Sequence, residues 1–224
     1  MTAHTAGAGV LMVVSGPSGS GKTSLCRAVL DREPDARFSV SCTTRPPRAG
    51  ERDGVDYHFT DDAAFREMIA QKQFAEWAEV HGRLYGTSSA WLRSQMDLGV
   101  DVILDIDYQG AYQVREFSAA DAPVLVFVVP PSFEVLKERL VSRRTESEAR
   151  VAQRLRTAEE ELRHVHLYDY VVVNDGFDRA VGDLRAILAA ERNRRERILP
   201  RIRRAYGPLI PETPPPRPPR KSPA

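Results

Sequence analysis

The 224-residue chain has only two cysteines, Cys26 and Cys42. That is too few for a disulfide framework, so a reducing, cytoplasmic setting is expected. Long apolar runs are missing too: the longest, Val124 to Pro131, is under half of the roughly 20 residues a membrane span needs. Met1 to Gly9 has neither a basic stretch nor an apolar core, so no secretory signal is read there. What remains is 42% hydrophobic and 28% charged, the balance of a soluble globular protein with room for one domain and small insertions.

The net charge of +1 conceals an asymmetry. Arg192 to Ala224 holds ten basic and two acidic residues, net +8, which leaves −7 for residues 1–191. The same stretch holds nine of the sixteen prolines. It reads as a basic helix end running into a Pro-rich tail, 194–224, that cannot build a core and is expected to be disordered. Its PxxP-like spacing and charge would suit an SH3-like groove or nucleic acid, but a solvated extension is the expectation.

Val10 to Val14 is a continuous apolar run, the pattern of a strand buried on both faces. Val100 to Leu104, Val124 to Val129 and Tyr170 to Val173 repeat it. Helical spacing fills the gaps at Thr23 to Arg32 and at about 108–117, 132–143, 147–166 and 177–195. Strands alternating with helices predict an α/β fold with a mostly parallel central sheet. Residues 38–98 break the rhythm. Phe38 to Ser41 alternates, Tyr57-His58-Phe59 is β-like, and a helix capped by Thr60 follows. Such a polar, antiparallel insert is expected over the sheet's C-terminal edge, where open α/β sheets bind ligands.

Gly16-Pro17-Ser18-Gly19-Ser20-Gly21-Lys22-Thr23 matches G-x-x-x-x-G-K-[ST] between a buried strand and a helix. The glycines let successive N–H groups turn inward onto phosphate oxygens, and the helix N-terminus adds partial positive charge. Lys22 supplies a point charge and the Thr23 hydroxyl a Mg²⁺ ligand. Chance matches in a chain of this composition number on the order of 10⁻³. The loop therefore predicts a bound nucleoside triphosphate. Asp105, closing the strand Val100 to Leu104, is a second candidate metal residue, acting directly or through water.

The insert carries Ser39-Val40-Ser41-Cys42-Thr43-Thr44-Arg45-Pro46-Pro47-Arg48-Ala49-Gly50-Glu51 and Gly54-Val55-Asp56-Tyr57. Phe74-Ala75-Glu76-Trp77, Tyr85-Gly86-Thr87 and Ile103-Leu104-Asp105-Ile106-Asp107-Tyr108-Gln109-Gly110 follow in that order. With these segments the chain resembles guanylate kinases over roughly residues 9–193. The resemblance implies ATP + GMP giving ADP + GDP with Mg²⁺, and dGMP as a further acceptor. It also implies a P-loop three-layer fold with three parts. Residues 10–37 and 99–193 would form the core behind a flexible 1–9, residues 38–98 a small α+β GMP-binding insert, and about 140–157 a helical lid.

By motif, Arg45, Arg48, Tyr57 and Tyr85 are expected on the GMP phosphate, with Ser41, Glu76, Thr87 and Asp107 around the guanine. Lys22, Arg45, Arg139, Arg143 and Arg154 are the expected catalytic cations, and Asn174 is expected near the adenine of ATP. Guanine offers N1–H and N2–H to a carboxylate such as Glu76 and O6 to hydroxyls such as Ser41 and Thr87. Adenine reverses those polarities. Ser132 is an expected N-cap, and Thr145 with Glu148 an expected capping box. Arg143-Arg144 replaces the Arg-Gly usual before the lid. His164-x-His166 lacks a third ligand nearby and is not read as a metal site. ATP and GMP are the expected partners, with no membrane, for a monomer or homodimer.

Overall fold

The computed structural model describes residues 9–80, 82–117, 123–142 and 148–213. In chain order its elements begin with β1 (Leu11–Ser15), α1 (Lys22–Leu30), β2 (Ala36–Phe38), β3 (Cys42–Thr43), β4 (His58–Phe59) and α2 (Asp62–Ala70). Next come β5 (Phe74–Val80), β6 (Arg83–Ser88), α3 (Ser89–Asp97), β7 (Asp101–Asp105), α4 (Tyr108–Phe117) and β8 (Val124–Val129). The chain continues through α5 (Phe133–Val141), α6 (Glu148–Arg163), β9 (Tyr170–Val173), α7 (Phe177–Arg192) and α8 (Arg195–Tyr206). No described helix is long and apolar enough to cross a membrane.

The main sheet runs β2-β7-β1-β8-β9, and every pairing in it is parallel. Its centre, β1, shows why the strand had to be apolar throughout. Successive side chains of a strand point to opposite faces. Val10, Met12 and Val14 enter one core with Leu25, Cys26 and Val29 of α1 and Val181, Leu184 and Leu188 of α7. Leu11 and Val13 enter the other, with Leu92 and Met96 of α3 and Ala111 and Val114 of α4. Three layers result. From β1 the chain passes to β2 on one side, while β8 lies on the other, so the loop after β1 opens at the point where strand order reverses. Val14 pairs with Asp105, which sets the end of β7 level with the start of that loop.

The second sheet, β4-β3-β6-β5, stands over this edge. Its β6 is antiparallel to β3 and β5, but β3 and β4 are parallel. Cys42, Phe65 and Leu84 form its small core, with Phe74 stacked on Phe65 at 4.4 Å. Helix α2 starts one residue later than the Thr60 cap implied: Asp61 is the cap, accepting from Ala64 N at 2.8 Å. An ionised cap oxygen complements the helix dipole better than a hydroxyl does. Phe38 belongs to the main sheet through its pairing with Ile103. Gln113 of α4 grips β5 by donating to Trp77 O (2.7 Å) and accepting from Trp77 N (3.0 Å).

Ser132 caps α5, accepting from Val135 N at 3.3 Å, and Leu136 and Leu140 of α5 pack on Ala158 and Leu155 of α6. The capping box of Thr145 with Glu148 and the Arg143-Arg144 pair lie outside the described residues and side chains. At the sheet edge far from the loop, buried Asp101 accepts from Val10 N (2.7 Å) and Arg192 Nε (2.6 Å). Arg192 also donates to Glu33 at 2.8 Å, where Arg185 joins it.

The tail departs from the disorder expected from 194. Residues Arg195–Tyr206 are helical with Pro200 inside and no buried residue. Ile198, Leu199 and Ile202 line up at helical spacing and are half-buried. Arg197 donates to Gly9 O (3.0 Å), and Arg203 donates to Pro211 O (3.2 Å) and Glu212 O (2.8 Å).

Candidate active site

A cleft of about 740 Å³ separates the C-terminal edge of the main sheet from the insert. That is within the range of sites for molecules of nucleotide size. One wall carries Lys22 and Thr23 at the start of α1, with Asp105, Ile106 and Asp107 after β7. The other carries Ser41, Arg48, Glu51 and Tyr57, with Glu76 and Tyr85 from the paired strands β5 and β6.

The loop before α1 is shaped by its first glycine. Gly16 has φ +141°, and a Cβ there would lie 2.0 Å from Val128 O, so the loop can turn beside β8 only without a side chain. Gly21 precedes α1 and no side chain caps that helix, which leaves the first-turn N–H groups for an anion. The donors at hand are occupied from within. Lys22 Nζ donates to Gly16 O at 2.6 Å, and Thr23 Oγ1 donates to Asp105 Oδ2. Asn174 sits behind the loop rather than in the open cleft: its buried amide donates to Ser20 O at 2.7 Å. Arg139 donates to Asn174 O (2.9 Å) and Arg154 to Ser18 Oγ (2.6 Å), so two of the three arginines expected to act with Lys22 and Arg45 as catalytic cations meet the loop region. Arg143 lies outside the described residues.

On the insert, Glu76 is 4% exposed. A bulge between Phe74 and Glu76 breaks the alternation of β5 and lets Ala75 and Glu76 both be buried. Thr87 Oγ1, itself fully buried, donates to Glu76 Oε1 at 2.5 Å. Burial pushes the Glu76 carboxyl up to about 7; the Thr87 bond opposes this and the Asp107 charge reinforces it. Asp107 is fixed in turn, accepting from Gly110 N at 3.0 Å and Gln109 Nε2 at 3.3 Å. Gly110 is required by this packing: a Cβ there would lie 2.9 Å from Glu76 Oε2.

Arg45 does not line the cleft itself. Its guanidinium donates to both oxygens of Glu51 (2.8 and 2.9 Å) and lies 5.2 Å from the centre of the Tyr57 ring. Glu51 also accepts from Arg48 N at 2.8 Å, and these two partners hold its carboxyl below the usual range. Tyr57 and Tyr85 meet edge to face at 6.1 Å.

Three residues of the site escaped the sequence reading of roles. Glu51 stood in the motif without a role, and its pairing is visible only in three dimensions. Ser39 lines the cleft with a buried hydroxyl that has no partner among the described residues. Glu161, on α6, accepts from Ser18 N at 3.4 Å. His164 stacks on Tyr108 at 3.9 Å and lies 3.5 Å from Glu160.

The guanylate kinase family model matches residues 9–191. The chain is 50% identical over 202 residues to a guanylate kinase of Methylobacillus flagellatus, covering 90% of this chain and 99% of that one. It is 53% identical over 186 residues to one of Symbiobacterium thermophilum, covering 83% and 87%. A crystal structure of guanylate kinase from Anaplasma phagocytophilum superimposes with TM-score 0.72 at 32% identity, covering 91% of this chain and 98% of that one. The segments that shape the cleft, from the loop after β1 to Asn174, all fall inside the matched region, and the chain belongs to the guanylate kinase family.

Proposed function

We infer that the protein transfers the terminal phosphoryl group of ATP to GMP, giving ADP and GDP. One observation carries the choice of acceptor: a buried carboxylate, Glu76, faces the same cleft as the phosphate-loop residues Lys22 and Thr23. A buried anion with one oxygen already bonded to Thr87 is suited to the N1–H and N2–H donors of guanine. Ser41, from the neighbouring segment, would donate to O6, and Asp107 would complete the base pocket. Thr87 acts through Glu76 in this arrangement. Adenine would set its N1 acceptor against the carboxylate, a mismatch of the kind that discriminates by about 10⁴. The same edge and phosphate recur in dGMP, which we read as a second acceptor.

Arg48, Tyr57 and Tyr85 would take the GMP phosphate, with Arg45 steadied beside them by Glu51. Planar guanidinium groups grip two phosphate oxygens at once. Gly16 to Thr23 would cradle ATP, with Lys22 on its terminal phosphates. Asn174 serves that loop by bracing Ser20 and Arg139.

Thr23 and Asp105 present two adjacent hard oxygen groups at the end of the loop. That pair fits Mg²⁺, which binds through few protein ligands and completes its shell with phosphate and water. Bound there, the ion would neutralise charge on the phosphates. The attacking phosphate oxygen of GMP is ionised near neutral pH, so no general base is required. The side chains contribute alignment and charge: Lys22, Arg139 and Arg154 converge on the loop that would hold the transferred group. Water exclusion on closure limits wasteful hydrolysis. With two buried free cysteines, we read the enzyme as cytoplasmic.

The test is an acceptor panel of GMP, dGMP, AMP and UMP with ATP and Mg²⁺. GDP and dGDP formation is expected to dominate; equal rates on AMP would overturn the reading.

A further inference from the structure

The phosphate loop is in contact with an anion of the chain itself. Glu161 reaches from α6 to the backbone N–H of Ser18, in the middle of the loop, with Oε2 at 3.4 Å. Arg154, nearly two turns earlier on the same helix, donates to the hydroxyl of that same Ser18 at 2.6 Å. One loop residue is thus held by a cation and an anion of one helix. The Glu161 carboxyl is half-buried, and burial raises its affinity for a proton while the nearby Lys22 charge and the Ser18 bond act to keep it ionised. The Asp107 charge adds repulsion.

The other loop donors show the same state. Lys22 donates to Gly16 O, and Thr23 to Asp105. A carboxylate on a loop N–H, within the field of the loop lysine, has the chemistry of a phosphate oxygen in the same surroundings.

We propose that Glu161 is an internal stand-in for a phosphate, a positioning residue that holds the loop through Ser18 and that an incoming triphosphate must displace or repel. The proposal rests on the reading of this loop as the ATP site. Its consequence is specific. A brace that merely stabilised the loop would help nucleotide binding, whereas a competing anion opposes it, and opposes it in proportion to the charge of the nucleotide. ATP carries one more negative charge than ADP and must feel Glu161 more.

The test compares Mg²⁺·ATP and Mg²⁺·ADP dissociation constants of the full chain with those of Glu161→Gln, by calorimetry at pH 7.5 and low salt. Glutamine keeps the size and the acceptor for Ser18 N–H but removes the charge. ATP is expected to bind about fivefold tighter, the scale of one partly screened charge–charge interaction, and ADP to gain less. The KM for ATP should fall while that for GMP stays unchanged. Glu161→Asp, which keeps the charge, should remain within about twofold of the natural protein. Should Glu161→Gln fail to fold in a thermal melt, Glu161→Ala provides the same loss of charge and the same expectation.

Equal or weaker ATP binding in the charge-removed variants, an equal gain for ATP and ADP, or tightening in Glu161→Asp would each overturn the proposal. If the natural protein, shown folded, bound no ATP at all, the assignment of the loop itself would fail instead, so the two failures are distinct.

Discussion

Replacing Glu76 with glutamine should make the protein more stable while removing most of its use as an enzyme. The carboxyl is 4% exposed and titrates at about 7 in the fold, against 4.5 for a solvated glutamate as in the unfolded chain. The folded state therefore holds its proton more tightly. Below pH 4.5 both states are protonated and the residue is neutral to stability. As pH rises toward 7 the unfolded chain ionises first and natural stability falls. Above 7 the buried carboxylate costs the fold roughly 3 kcal/mol. Glutamine avoids that cost, and its Oε1 can still accept from Thr87. The gain should be close to zero at pH 4.5 and level off near ~3 kcal/mol by pH 8, or about 6–12 °C in Tm for a domain of this size. Denaturant midpoints across pH 4.5 to 8.5 measure it. A stability difference that did not vary with pH, or a less stable variant at pH 8, would refute the reasoning.

The functional half of the same substitution has the opposite sign. Guanine loses two charge-assisted hydrogen bonds, each ~1.5–3 kcal/mol, so the KM for GMP should rise about 100- to 10,000-fold. In the natural enzyme, the protonated form of Glu76 presents an O–H that suits the N1 acceptor of adenine. The kcat/KM for GMP should then fall by up to about 30-fold between pH 8.5 and 5.5, following the ionised fraction of a group near 7, and the preference for GMP over AMP should fall further still. In Glu76→Gln that preference should not vary with pH.

Lys22→Ala should cut phosphoryl transfer by at least about 10³-fold without unfolding the protein, since among the described residues Lys22 Nζ bonds to Gly16 O alone; a kcat assay beside a thermal melt checks it. Gly110→Ala drives a methyl to within 2.9 Å of Glu76 Oε2 and 3.1 Å of Ile106 Cδ1, so the GMP KM should rise severalfold while ATP binding is kept, read by separate titrations. Arg192→Ala strips buried Asp101 and Glu33 of a shared cation and should cost roughly 3 kcal/mol in denaturant unfolding, with both KM values unchanged because that clamp lies at the far edge of the sheet.

The three inner strands of the main sheet were legible because burial on both faces leaves a sequence little freedom, whereas the short edge strand β2 was not read from its residues. Val124–Val129 is the buried strand its apolar run implies, and the loop after β1 follows from a run that stops at glycine. Tyr170–Val173 is a strand too, but at the sheet edge, where Val171 and Val173 are exposed rather than buried. The insert was far less legible from its residues, for physical reasons that can be named. In β5 the bulge places Ala75 and Glu76 inward together, so period two is lost. Glu76 read alone suggests a solvated helix face, yet it is a buried strand residue. In α3 only Leu92 and Met96 are buried, too few for a helical stripe to stand out in Ser89–Asp97. The basic, Pro-rich composition from 194 onward implied disorder where α8 forms with Pro200 inside it. The pairing of Arg45 with Glu51 and the grip of Gln113 on Trp77 depend on chain crossings that no local pattern encodes.

Several polar groups in and beside the cleft are paired internally: Thr23 on Asp105, Lys22 on Gly16 O, Thr87 on Glu76, Arg45 on Glu51. Substrate binding at several of these groups is then an exchange of one partner for another, and each exchange is worth little net free energy because a hydrogen bond is lost for every one gained. The penalties are large, however. A ligand that displaces an internal partner without reproducing its polarity leaves a buried donor or acceptor unmet, at about 1–3 kcal/mol apiece. A site arranged this way gains little from tightness toward any nucleotide and much from rejecting the wrong one. The same pairing keeps Arg45 and Glu76 in place before substrate arrives, so less side-chain entropy is lost on binding. Selectivity for guanine in this fold therefore follows from what the wrong base would leave unpaired.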